Sequence, residues 1–160
     1  MTYRAHPETY VGHIHLKVSD LDRSIAFYRD VMGFDLIQRY GPSAAFLSAG
    51  GYHHHIGLNT WESAGAAPGP RRAPGLYHVA FLYPDRTALA QALANVVAAG
   101  VKIDGAADHG VSEAVYFSDP DGNGIEIYTD RDPAEWPRGA DGELAMVNAP
   151  LDIPALLALA

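Results

Sequence analysis

The chain has 160 residues, of which 48% are apolar, 19% charged and 10% aromatic; 19 acidic residues stand against 11 basic ones, for a formal net charge of −8. That length and composition describe one full-sized soluble domain with a real core, and they exclude bulk low-complexity disorder. The acidic balance, with no Lys/Arg stripe, argues against a nucleic-acid partner. The lack of cysteine excludes a disulfide framework, a thiolate metal site and a Cys nucleophile, and no secretory signal or membrane-length apolar run is visible, so the expected location is the cytoplasm.

In chain order, alternation predicts a strand over 11–18, with a helix following over 20–32. Ser19 or Asp20 can cap that helix, Leu21, Ile25, Tyr28 and Met32 form its apolar stripe, and Gly33 suits a left-handed cap. Strands follow near 35–40, 43–49 and 52–59. The same order then repeats: a strand at 76–83, a helix at 85–99 with the stripe Leu89, Leu93, Val96 and Val97, and strands near 101–105, 113–118 and 124–129. The repeat is visible in the residues themselves. His13-Ile-His-Leu-Lys-Val-Ser-Asp20 resembles His78-Val-Ala-Phe-Leu-Tyr-Pro-Asp85. The Gly/Pro/Ala-rich stretch 62–74 marks an irregular connector.

The expected fold class is therefore α+β, with two βαβββ modules forming one cup-shaped metal-binding domain over 10–130. The modules cover about 10–59 and 75–130 and are joined by a linker at 60–74. The extension 131–160 carries Pro133, Pro137 and Gly139. It ends in an apolar segment in which Asp152 can cap a short helix bearing Leu156, Leu157 and Leu159. That end needs burial against the body or a partner subunit.

Strand alternation decides which side chains share a face. Ile14, Leu16 and Val18 oppose His13 and His15. Val79 and Phe81 oppose His78. Ile56 and Leu58 oppose His55 and Gly57, and Ile125 and Ile127 oppose Glu126 and Tyr128. With the apolar faces on the helices, His13, His55, His78 and Glu126 are left to line the cup. Two imidazoles and one carboxylate on one side of a metal make a facial triad with open positions, a set that suits Fe(II).

The run Gly12-His-Ile-His-Leu-Lys-Val-Ser-Asp-Leu-Asp-Arg-Ser-Ile-Ala-Phe-Tyr28, followed by Gly33-Phe34, resembles the opening of the vicinal-oxygen-chelate superfamily. That superfamily includes glyoxalase I, fosfomycin- and bleomycin-resistance proteins and extradiol ring-cleaving dioxygenases. The resemblance implies the paired βαβββ fold, and His13, His78 and Glu126 as metal ligands. A sharper one covers His109-Gly-Val-Ser-Glu-Ala-Val-Tyr116-Phe-Ser-Asp-Pro-Asp-Gly-Asn-Gly-Ile-Glu126, which is similar to the extradiol dioxygenase signature. Ala107 departs from it. Gly51-Tyr-His-His-His-Ile-Gly-Leu-Asn59 resembles the His-bearing strand of the same enzymes and puts His55 at the position of their catalytic histidine.

The resemblance thus implies Fe(II), with Mn(II) as the alternative metal, and a catalytic set of His55, His109 and Tyr116. His55 would assist oxygen activation and proton transfer, with His109 and Tyr116 hydrogen-bonded to substrate oxygens. The implied partners are a small aromatic diol, O2 and a second copy in a homodimer, with no nucleic acid and no membrane. The rivals are a glyoxalase-like or thiol-transferase metalloenzyme and a non-catalytic drug-binding resistance protein. Aligning Ile56 with Ile125 sets Gly57 opposite Glu126, so the fourth carboxylate of a glyoxalase-type site is missing.

Overall fold

Short edge strands, helices capped by aspartate and tight glycine turns build this chain, described for residues 2–70 and 72–160 by a computed structural model. The first module runs β1 (Ile14–Lys17), α1 (Leu21–Ala26), β2 (Asp35–Tyr40), β3 (Ala44–Ser48) and β4 (Ile56–Asn59). The second runs β5 (Val79–Leu82), α2 (Arg86–Ala98), β6 (Ile103–Asp108), β7 (Ser112–Ser118) and β8 (Gly124–Asp130). The tail adds a 3-10 turn at Pro133–Glu135, the short strand β9 (Ala149–Pro150) and α3 (Ile153–Leu157).

The strands form a four-stranded sheet ordered β1-β4-β3-β2 and a five-stranded sheet ordered β5-β8-β7-β6-β9. The fold is mixed α+β with two matched modules. In each, the first strand lies at an edge and pairs in parallel with the fourth: Ile14 with Ile56 in one, Val79 with Ile125 in the other. Glycine with positive φ ends both long helical segments, Gly33 at 79° and Gly100 at 74°, as left-handed caps require.

Both sheets and both helices share one core. Leu16, Val18 and Ile25 from the first module, and Leu89, Leu93 and Ile127 from the second, belong to it. The tail joins it through Leu156, which is fully buried, after Asp152 caps α3 by accepting the Ala155 amide proton at 3.0 Å. No helix among the described residues is long and apolar enough to cross a membrane.

Three details differ from the sequence pattern. The first helix does not run unbroken: after Ala26 it widens into a π-helical turn over Phe27–Val31, where the Met32 amide reaches back to the Phe27 carbonyl at 3.1 Å. That turn seats Tyr28 in the core with its hydroxyl donating to Asp119 Oδ2 at 3.0 Å. Val97 leaves the α2 stripe and is 45% exposed, its place taken by Ala90. The strands at 11–18, 52–59 and 76–83 are shorter than the alternation predicts, and each begins one residue after a histidine.

Candidate metal centre

His13, His55 and His78 each stand immediately before the first residue of a strand, β1, β4 and β5. Because β1 and β4 are parallel, with the Ile14 amide donating to the His55 carbonyl at 3.0 Å, His13 and His55 come to the same end of the first sheet. Both line a cleft of about 570 Å³, shared with Ile14, Phe34, Val79 and Phe81.

The His55 ring has a defined orientation. Its Nδ1 accepts the Ala49 amide proton at 3.3 Å and lies 3.0 Å from Ser48 Oγ. Neutral His55 therefore carries its proton on Nε2. The His13 ring sits 4.6 Å from that of His54. Burial, then the neighbouring imidazoles led by His13, hold His54 below the ordinary histidine value. Burial and then His13 do the same to His15.

The second sheet assembles the other four candidates. His78 Nε2 lies 2.9 Å from Glu126 Oε2. Glu126 Oε1 is 3.2 Å from the Tyr116 hydroxyl, which in turn is 2.7 Å from His109 Nε2. Register explains the set. Tyr116 on β7 pairs directly with Glu126 on β8, and His109 stands in the turn between β6 and β7. Gly124, at the start of β8, has no room for a side chain: a Cβ there would meet the Tyr77 carbonyl and, at 3.1 Å, the His78 Cβ. The glycine lets His78 settle against β8 and reach Glu126. Burial, followed by the Glu126 charge and hydrogen bond, pushes the Tyr116 phenol up to about 12. Tyr116 is thus a neutral hydroxyl donor at physiological pH.

The six candidates therefore divide. Four gather on the second sheet, and two stand at the rim of the first. Among the described residues, no three His, Cys, Asp or Glu side chains surround one point closely enough to hold an ion. The fit of the second-sheet pair to a metal can still be tested. Two donors each about 2.0–2.2 Å from an ion, at right angles to each other, are about 3 Å apart. His78 Nε2 and Glu126 Oε2 have that spacing, and an imidazole nitrogen with a carboxylate oxygen suits a borderline divalent ion. One chain thus offers two donors with a spacing that suits a metal ion.

Some groups around the site had no sequence signal. The Val147 carbonyl, 3.1 Å from His109 Nδ1, is a backbone atom contributed by the tail. The Ser48 and Ala49 contacts that orient His55 come from the adjacent strand end. His15 covers Gly57, its partner in the β1–β4 register.

The model of the glyoxalase/bleomycin resistance protein/dioxygenase superfamily matches residues 10–127. A catechol-2,3-dioxygenase of Bacillus subtilis (strain 168) is 42% identical over 152 residues, 95% of this chain and 52% of that protein, so the chain spans about half the length of that relative. The metallothiol transferase FosB of Staphylococcus epidermidis (strain ATCC 12228) is 32% identical over 127 residues, 76% of this chain and 82% of that protein. Among solved structures, a glyoxalase/dioxygenase from Nostoc punctiforme superposes with a TM-score of 0.65 at 21% identity, covering 82% of this chain and 99% of that one.

Proposed function

The chain belongs to the glyoxalase/bleomycin resistance protein/dioxygenase superfamily, and from that premise we propose that it is an extradiol ring-cleaving dioxygenase acting with O2 on a catechol-type substrate. The observation that carries the reading is the hydrogen-bonded series Glu126–Tyr116–His109 beside His78. It supplies a phenol and an imidazole of the kind that hydrogen-bond a catechol's oxygens. The 42% identity to a catechol-2,3-dioxygenase supports it.

The metal ligands in this reading are His78, Glu126 and His13, and the ion is Fe(II) or, alternatively, Mn(II). When bound, such an ion supplies a Lewis acid and a template on which two vicinal oxygens and O2 lie side by side. The chain's own groups do the rest. Tyr116, neutral, accepts a hydrogen bond from a substrate hydroxyl while its own proton is held by His109. His109 hydrogen-bonds Tyr116 and fixes the direction of its hydroxyl. His55, which lines the cleft and carries its proton on Nε2, serves as the acid–base group.

His13 and His55 stand on the first sheet and the other four on the second, so the reading includes a homodimer in which a second copy completes the centre. Tyr10, Val11, Leu76 and Tyr77, exposed beside β1 and β5, are the apolar surface available for it.

A glyoxalase-type site needs a carboxylate at position 57, where this chain has glycine under the His15 ring. Thiol transfer remains the rival with a relative behind it. Loading the protein with Fe(II) under anaerobic conditions and measuring oxygen uptake over a catechol panel separates them. The expected result is stoichiometric uptake with a yellow ring-opened product. An iron-loaded protein that consumes no oxygen with any catechol overturns the proposal.

A further inference from the structure

The tail beyond the family match makes two hydrogen bonds to one candidate residue. Val147 donates its amide proton to the His109 carbonyl at 3.0 Å, and its own carbonyl lies 3.1 Å from His109 Nδ1. A carbonyl only accepts, so Nδ1 must carry a proton. In neutral His109 that leaves the lone pair on Nε2, the atom 2.7 Å from the Tyr116 hydroxyl. We propose that the C-terminal segment 137–150 is a positioning element of the site, holding His109 in its Nδ1–H form so that Nε2 accepts from Tyr116. The structural part stands by itself; its catalytic consequence rests on the dioxygenase reading.

The segment is fixed well enough for such a role. β9 pairs antiparallel with β6 at Ala107 and Asp108, the two residues before His109. Trp136 Nε1 donates to the Arg131 carbonyl at 2.9 Å. Arg131 in turn bridges Asp108 at 2.7 Å and the buried Glu113 at 2.8 Å. The Ala145 amide closes a loop onto the Pro137 carbonyl at 2.9 Å.

The turn itself is shaped to receive the segment. Gly110 has φ +75°, and a Cβ there would come 2.8 Å from Pro137 Cγ and 3.2 Å from Val147 Cγ2. The tail therefore packs on the turn beside His109 through Pro137 and Val147, at a glycine that leaves it space.

The geometry has a consequence for Tyr116, which owns one proton and faces two acceptors, His109 Nε2 at 2.7 Å and Glu126 Oε1 at 3.2 Å. With Nδ1–H held by the Val147 carbonyl, Nε2 offers Tyr116 the nearer acceptor, in competition with Glu126 Oε1, to which the hydroxyl also donates at 3.2 Å. Were His109 to carry its proton on Nε2 instead, it would donate to the phenol oxygen and turn the Tyr116 proton toward Glu126. The tail carbonyl thus selects which way the phenol points.

The test reads the tautomer directly. Long-range proton–nitrogen NMR on the full-length protein, loaded with diamagnetic zinc, assigns the protonated ring nitrogen of His109. The expected result is Nδ1–H in the wild type and in Val147→Ala, which keeps both backbone groups. Val147→Pro removes the amide proton, and Gly110→Ala pushes the tail from the turn; each should average the two tautomers or convert His109 to Nε2–H. In iron-loaded protein the same two variants should keep their metal while kcat for oxygen uptake falls about ten- to a hundredfold, as small displacements of a reacting group do. A wild-type His109 protonated on Nε2 overturns the proposal. So does a folded Val147→Pro or Gly110→Ala variant with the wild-type tautomer. The expected tautomers without oxygen uptake in the wild type would instead remove the dioxygenase reading and leave the positioning role standing.

Discussion

Gly57 and Ala80 show how two matched modules come to do different things. In the first module the register pairs His15 with Gly57, and in the second it pairs Ala80 with Glu126. Each pair puts one large polar side chain beside a small residue, but on opposite strands. A Cβ on Gly57 would lie 2.9 Å from the His15 ring. Gly57→Ala should therefore lower stability by about 1–3 kcal/mol, the usual cost of overpacking. The denaturant midpoint measures this, and most of the loss should vanish in a His15→Ala background. At the proposed metal pair, His78→Ala and Glu126→Ala should each abolish tight metal binding, read by elemental analysis after reconstitution. His55→Ala should keep the metal and lose about a hundred- to ten-thousand-fold in turnover, as removal of an acid–base group does. Alternation singled out His13, His55, His78 and Glu126 as candidates, since it assigns side chains to faces, although the three histidines stand just before their strands. The His15–Gly57 contact was not legible, since a missing side chain announces space without saying what fills it.

The elements are tied across the module boundary by a turn that composition marks only as a turn. Asp119-Pro-Asp-Gly122 connects β7 to β8, and its carboxylates reach the first helix. Asp121 Oδ1 accepts from Ser19 Oγ at 2.6 Å and pairs with Arg23, while Asp119 takes the Tyr28 hydroxyl. Burial by itself would raise the Asp121 pKa; the Ser19 hydroxyl and amide together with the Arg23 guanidinium outweigh it and hold the group below the ordinary carboxylate value. A depressed folded pKa means stability that is present above the unfolded value, about 3.9, and lost as pH falls through the folded one. Asp121→Asn should thus destabilise the protein at pH 7, and the gap to wild type should close on acidification below about pH 4, measured as unfolding midpoints across the series. A gap that stays constant to pH 2 would show that the charge is not what the tie uses. Such contacts join residues about a hundred positions apart, and local pattern carries no trace of them. The π-helical turn escaped for a related reason: its apolar spacing still reads as a helix, and the core contact of Tyr28 decides the widening.

At the scale of the whole molecule, the order of the modules and their strand faces were readable from the repeat, whereas His109, Tyr116 and the role of His55 were candidates only through the family resemblance. Which sheet meets which was not readable, because a period of two assigns a side chain to a face and says nothing about the neighbour that face will meet. The chain keeps His13 and His55 on one sheet and His78, Glu126, Tyr116 and His109 on the other. Completion by a second copy has a consequence that completion within one chain lacks. Take two inactive variants, His13→Ala and His78→Ala, and mix them under conditions that allow subunits to exchange. If each chain closed its own centre, every site in the mixture would lack one ligand, and neither tight metal binding nor turnover would return. If centres form between copies, a mixed dimer has one site missing both ligands and one site missing neither. Random exchange makes half the dimers mixed, so about a quarter of the wild-type sites should reappear. Metal content per chain after gel filtration measures that fraction without relying on activity, and oxygen uptake with a catechol should rise in the same proportion. A mixture that stays empty of metal, with exchange verified by differently tagged chains, would place all three ligands in one subunit.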